Sequence, residues 1–269
     1  MTRVTDNSMI HRILESPEGL RVLVMHAHPD DDTLSTGPLI AWLSRRGAQV
    51  DLLTFCRGER GEIVPGVLPA GVGPEELVTA REAERAAACD CLGVRNRWFM
   101  GMTPWRAAGL AERRYKDSGM RWVTPTVAGP AGDAGPESVT GAPVEEQVDD
   151  VLAGLSVARP DVLISYDNGG SYGHPDHIRV HEVAGLAARR AGLALVQFAS
   201  HDDVPGASTD EALWLEPDDP AITEAVLAAL RCYRTQLTVV GEGEDTHIQH
   251  VGGQRQEIPR RVGLLSSPV

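Results

Sequence analysis

Two short stretches concentrate the residue types that hold metal ions and move protons. One reads His26-Ala-His28-Pro-Asp30-Asp31-Asp32, the other Tyr172-Gly-His174-Pro-Asp176-His177. Imidazole and carboxylate together suit Zn2+ or another divalent ion such as Fe2+. Zinc held by three protein ligands keeps a fourth position for water, whose pKa then drops from 15.7 to about 7. His28 and Asp31, separated by a proline-stiffened turn, can supply two ligands from one loop, and His177 can supply the third. Asp30 then stays free as a general base. His174 and Tyr172 are placed to polarise a substrate carbonyl and its developing oxyanion. Asp176 can hold an imidazole in the required tautomer and orientation.

Such a site needs elements that bring residues about 150 positions apart to one place. Both stretches follow apolar runs, 20–27 (LRVLVMHA) and 161–166 (DVLISY), that read as buried strands. Loops at the carboxyl ends of parallel strands are where open α/β sheets place their sites. Further strands are expected at 50–56, 97–100 and 194–199. The pattern places helices at 33–46, 75–92, 144–158, 177–191 and 221–233. This alternation predicts an α/β fold with a mostly parallel sheet flanked by helices. One domain over 1–269 is expected, with its core at about 20–200. Residues 101–143 carry seven Gly and five Pro with little periodicity, and read as a long loop covering the strand ends. Residues 241–269 read as an irregular tail packed on the surface.

Simpler readings compete at single positions. Asp30 to Asp32 could be a helix N-cap cluster. His26 reads as a packed histidine, and His181 as part of a solvated helix face. Cys89 and Cys91 lie two apart on a helix, on different faces, so a shared metal is not expected there. The two His-Pro-Asp tripeptides at two strand ends are much harder to explain without a site.

The chain of 269 residues is 42% apolar and 23% charged, with a formal net charge of −13. An acidic chain without a basic run offers no surface for nucleic acid or anionic lipid. No apolar stretch is long enough to span a membrane. The start of the chain, 1–15, is mixed and polar and lacks the build of a secretory signal, so a cytoplasmic protein with reduced thiols is expected. Lys116 is the sole lysine, which excludes a P-loop.

His28-Pro-Asp30-Asp31 paired with Gly173-His174-Pro-Asp176-His177 resembles the PIG-L/LmbE-like family of metal-dependent deacetylases. The resemblance covers roughly 21–191. It implies a Rossmann-like fold and hydrolysis of N-acetyl groups on glucosamine-containing substrates. It further implies His28, Asp31 and His177 as metal ligands, Asp30 as base, His174 as acid or oxyanion stabiliser, and Tyr172 assisting at the carbonyl. Within the family the chain looks most like the mycothiol-pathway branch, which holds an N-acetylglucosaminyl-inositol deacetylase and a mycothiol S-conjugate amidase. Gly58-Glu-Arg-Gly-Glu62, Arg81 and Asp117-Ser-Gly-Met120 resemble that branch. That likeness implies Glu62, Arg81 and Asp117 as binders of substrate hydroxyls, with Met120 lining the pocket. Asp32 stands where the family often has Glu.

The expected function is zinc-dependent removal of an N-acetyl group from a glucosamine-containing small molecule. Either Asp30 or His174 could protonate the leaving amine. An amidase cleaving a thiol conjugate, and a sugar-binding protein that kept the fold, are the alternatives. A dinucleotide enzyme is disfavoured, because no G-x-G-x-x-G follows the first strand. The expected partner is a small-molecule sugar, with no nucleic acid and no membrane; homo-oligomerisation is left open.

Overall fold

In the computed structural model, residues 7–201, 204 and 209–267 are described. In chain order the elements are α1 (Ser8–Glu15), β1 (Arg21–His26), α2 (Asp31–Leu34), α3 (Gly37–Arg45), β2 (Gln49–Thr54), α4 (Pro74–Leu92) and β3 (Asn96–Phe99). A hairpin, β4 (Met120–Trp122) and β5 (Ala128–Pro130), precedes α5 (Val144–Ala158), β6 (Val162–Tyr166), α6 (Gly170–Gly173), α7 (Pro175–Ala191) and β7 (Ala194–Phe198). The last third holds β8 (Leu213–Leu215), α8 (Pro220–Leu230), β9 (Leu237–Val240), β10 (His247–His250), β11 (Arg255–Glu257) and β12 (Val262–Ser266).

One seven-stranded sheet runs in the order β3-β2-β1-β6-β7-β12-β8. The first five strands are parallel, and β12 is antiparallel to both β7 and β8. Every residue of β6, and all of β1 after Arg21, is buried. That is why both strands read as continuous apolar runs rather than alternating ones: helices cover both faces. Chain order reverses between β1 and β6, so the crevice beyond their carboxyl ends is the switch point where such sheets bind ligands. Both chemistry-bearing stretches begin there.

Local chemistry explains the helix boundaries. Glu76 Oε2 accepts a hydrogen bond from the Gly73 N–H at 2.7 Å at the start of α4, and Gly93 ends that helix at φ 78°. Pro175 opens α7 within its first turn, where its missing N–H costs nothing.

Four expectations change in the structure. The single helix expected over 33–46 is broken into α2 and α3. Thr36, at φ −130°, donates its hydroxyl to the Asp32 carbonyl and meets His26 Nε2 at 2.8 Å, diverting the chain between them. The polar start of the chain contains α1, whose Ile10 and Ile13 are buried one helical turn apart; residues 1–6 lie outside the described ones. The loop at 101–143 contains β4 and β5, and it is anchored. Trp105 is fully buried against α5, where a Cβ on Gly154 would lie 2.1 Å from the indole. Finally, the segment at 241–269 is not an irregular tail. β10 and β11 join β9 in a small antiparallel sheet, and β12 returns into the main sheet with Val262, Leu264 and Leu265 buried; residues 268–269 lie outside the described ones. Among the described residues, no helix is long and apolar enough to cross a membrane.

Candidate active site

Three atoms from the two stretches meet at the end of the β1–β6 pair. His28 Nδ1 and His177 Nε2 are 3.2 Å apart. Asp31 Oδ2 lies 3.3 Å from His28 Nδ1 and 3.2 Å from His177 Nε2. Ligand atoms at about 2.0–2.2 Å from a tetrahedral zinc stand about 3.3–3.6 Å from one another, so the triangle has the size of three coordination positions. All three side chains are buried.

The other nitrogen of each ring fixes what the triangle can bind. His28 Nε2 faces Asp176 Oδ2 at 3.2 Å, and His177 Nδ1 faces the Gly170 carbonyl oxygen at 3.1 Å. Each of those acceptors calls for an N–H on the ring, which leaves a lone pair on both nitrogens inside the triangle. Two lone pairs and a carboxylate oxygen converging in a buried space repel one another unless a cation lies among them. The donor set therefore fits a divalent ion, with the outer partners that such ligands characteristically have. His174 also offers a nitrogen within 4.8 Å of His28 and His177, and a second grouping joins His28, His174, Asp117 and Asp176. The Asp31 triangle is the tighter arrangement.

Asp31 is held in place by Tyr166, the last residue of β6. Its hydroxyl donates to Asp31 Oδ2 at 2.7 Å and accepts from the Ala27 N–H at 3.0 Å. The same ring stacks on His177, centroids 4.3 Å apart. Asp32 turns the other way, and the Tyr233 hydroxyl donates to its carboxylate, lying 2.8 and 2.6 Å from the two oxygens. It thus ties the site to the chain beyond α8.

Asp30 precedes these two carboxylates on a strained backbone, φ 99° and ψ −33°. Among the described residues its carboxylate accepts no hydrogen bond. Burial, and then the Asp31 charge, lift its pKa well above the ordinary value. His174 caps α7: its Nδ1 accepts from the Asp176 N–H at 3.1 Å, so the ring proton belongs on Nε2. Burial, then His28 and His177, push its pKa well below the ordinary value. It is therefore a neutral N–H donor. Tyr172 lies 5.1 Å from His177, centroid to centroid, and burial raises its pKa, keeping the phenol protonated. The turn that carries it is gripped from β7 and the residues just after it: Ser200 Oγ accepts from Ser171 N–H at 2.7 Å, and His201 N–H donates to the Ser171 carbonyl at 3.0 Å.

A cavity of about 460 Å³ opens onto His28, Asp30, Asp31, His174 and Tyr172. Glu62, Arg81, Asp117 and Met120 all line it, but their situations differ. Asp117 is buried beside the ring of His28, its Oδ1 3.8 Å from Nε2. Met120 begins the hairpin, and Glu62 is exposed at the rim. Arg81 is fully buried and spends its donors on protein: the carbonyls of Gly58, Gly61 and Glu62, and Thr235 Oγ1. It holds the 58–62 loop in shape more than it reaches into the cavity. Lys116 points away, 3.5 Å from Glu137. His26 is packed between Tyr166 and Thr36, and His181 faces the Tyr166 carbonyl at 3.0 Å rather than solvent.

Several site residues carry no signal in the two motifs. Tyr166 is one: it ends β6, and its role depends on β6 pairing with β1. Trp122, Arg60 and Gln236 line the cavity from segments whose approach is set only by tertiary packing.

The sequence pattern of the PIG-L family, GlcNAc-PI de-N-acetylase, matches residues 23–188. A 1D-myo-inositol 2-acetamido-2-deoxy-alpha-D-glucopyranoside deacetylase from Actinosynnema mirum is 35% identical over 250 residues, covering 83% of this chain and 83% of that protein. A protein of the same name from Thermomonospora curvata is 32% identical over 286 residues, covering 92% and 91%. Among solved structures, a deacetylase–teicoplanin complex from teicoplanin biosynthesis matches with a TM-score of 0.56 at 21% identity, over 92% of this chain and 98% of that one, a likeness of fold.

Proposed function

The chain belongs to the PIG-L, GlcNAc-PI de-N-acetylase family, and from that premise we propose that it removes the acetyl group from a small N-acetylglucosaminyl glycoside with the help of a zinc ion. The observation that carries this reading is the convergence of His28 Nδ1, His177 Nε2 and Asp31 Oδ2 at 3.2–3.3 Å, with both outer ring nitrogens tied. Bound there, a divalent ion supplies Lewis acidity to the acetyl carbonyl and acidifies water.

The chain's own groups do the rest. Asp30 takes the proton of the attacking water, for which its raised pKa suits it. His174 Nε2–H and Tyr172 Oη–H donate to the carbonyl oxygen as negative charge develops on it. In this reading His174 keeps its Nε2–H on the carbonyl oxygen. Asp30, protonated in the first step, passes that proton to the leaving amine. Asp176 keeps His28 in its working tautomer.

The test is mass-spectrometric assay of zinc-loaded protein against N-acetylglucosaminyl-inositol and N-acetylglucosamine, following loss of acetyl. Ion-loaded protein that releases no acetate from either would overturn the reading.

A further inference from the structure

The deacetylase reading accounts for the polar floor of the cavity and for Tyr172, and leaves one aromatic residue of its wall, Trp122, without a role. In the β4–β5 hairpin Trp122 pairs with Ala128. The hairpin is seated on the turn that carries Tyr172: a Cβ placed on Gly173 would lie 3.2 Å from both the Ala128 carbonyl oxygen and Val127 Cγ1. This seating brings Trp122 beside Tyr172, ring centroids 5.9 Å apart and planes at 34°. Tyr172 in turn stands 5.1 Å from His177. The two rings therefore form a wall running outward from the ligand triangle, with Trp122 one ring farther out. Trp122 lines the cavity yet is 46% exposed, so much of it is left to water at the mouth of a site.

We infer that Trp122 is a stacking platform for a second polyhydroxylated saturated ring, joined to the anomeric carbon of the acetamido sugar. The inference rests on the deacetylase reading. The scissile amide must reach His28, Asp31 and His177, so the sugar that bears it fills the level of Tyr172. What is attached to that sugar then reaches Trp122. Such rings turn C–H faces toward aromatic surfaces and O–H edges toward polar groups. The same cavity offers polar groups for those edges, including Gln236, whose buried Nε2 has no hydrogen-bond partner among the described residues.

The experiment compares zinc-loaded wild type, Trp122→Ala and Trp122→Phe on N-acetylglucosaminyl-inositol, N,N′-diacetylchitobiose and free N-acetylglucosamine, with zinc content measured for each. Calorimetric binding of the deacetylated inositol glycoside and of glucosamine is measured alongside. Trp122→Ala should lower kcat/KM for a two-ring probe about tenfold or more, mainly through KM, and at least about fivefold more than for the free sugar. Trp122→Phe should restore most of the loss. The two-ring probe with the larger differential tells a cyclitol from a second sugar. Equal fractional losses on all three probes, or none on either two-ring probe, would overturn the platform. If wild type deacetylates nothing, the deacetylase reading fails, and calorimetry still decides the platform. In that case, binding of the inositol glycoside that Trp122→Ala weakens no more than that of glucosamine overturns it.

Discussion

His28, Asp31 and His177 lie just beyond the ends of two adjacent strands that are buried apart from Arg21, whereas Glu62, Met120 and Trp122 stand on a loop and a hairpin that are not part of the main sheet. At the first end every ring nitrogen and the inner carboxylate oxygen has a fixed neighbour. At the second, Glu62 and much of Trp122 are open to solvent, and the 58–62 loop keeps its shape through the guanidinium of Arg81. The contrast separates two jobs. Ligand geometry tolerates little error and is built on rigid elements, while recognition of the rest of a substrate is given to segments that can vary without disturbing the sheet.

The sharpest way to break this division is at the point where three adjacent aspartates have three tasks. Asp30→Asn should keep the ion and lose activity by roughly 10²–10⁴-fold, because an amide cannot accept the water's proton. Asparagine also tolerates the positive φ at this position, so the backbone should survive. Asp31→Asn should instead lose the ion. Metal analysis and kcat/KM on the two purified variants check this, and the reverse pattern would exchange the two carboxylates. Chelation should lower Tm for wild type and Asp30→Asn alike, because an ion that binds only the folded chain stabilises it.

Next in size is the support of the ligands. Tyr166→Phe removes the hydroxyl that donates to Asp31 while keeping the ring stacked on His177. Loss of such an outer partner should weaken ion affinity about 10–100-fold, read by competition with a chelator, with kcat restored at saturating zinc. Unchanged affinity would mean that Asp31 is held by the fold alone.

On the recognition side, Arg81→Ala should raise KM for the glycoside about tenfold with little change in ion content, since it frees the 58–62 carbonyls rather than a ligand. Arg81→Lys should rescue poorly, because one ammonium cannot reproduce the spread of a guanidinium over three carbonyls and a hydroxyl. Good rescue by lysine would point to a charge contact with substrate instead.

The same contrast governs how much could be read before any coordinates. The strand-ending motifs at 26–32 and 172–177 were legible because buried parallel strands and His-Pro-Asp turns are local patterns. The convergence of His28 with His177 followed from topology alone. Tyr166 was hidden, since its task depends on β6 lying next to β1, a pairing no local period records. β12 was hidden for a related reason: a five-residue apolar run near the end of the chain looks alike whether it returns to a distant sheet edge or not. Arg81 was named only through the family likeness, and that likeness does not tell that its donors also meet the loop carbonyls of Gly58, Gly61 and Glu62.

The smallest expected effect lies where the two regions join. Tyr172 is proposed to act at the carbonyl, and it rides on a turn whose Ser171 adopts φ 63° and ψ −91°, a conformation a serine keeps only when held. Ser200 Oγ holds it by accepting from Ser171 N–H while donating to Asp167 Oδ1. Asp167 also accepts from the N–H groups of Gly169 and Ser200, at 3.0 and 2.8 Å. Ser200→Ala removes one grip and leaves the backbone bond from His201 to Ser171 in place. One lost hydrogen bond in a buried turn is worth about 1–2 kcal/mol, enough to let Tyr172 leave its working position part of the time without unfolding the site. The expected result is a kcat lower by about 3–10-fold, with zinc affinity and KM nearly unchanged. If the loss acts through Tyr172, it should vanish in a Tyr172→Phe background, where no hydroxyl remains to misplace. The same fold loss in both backgrounds would show that the Asp167–Ser200 pair supports the ligand end of the cavity rather than the tyrosine.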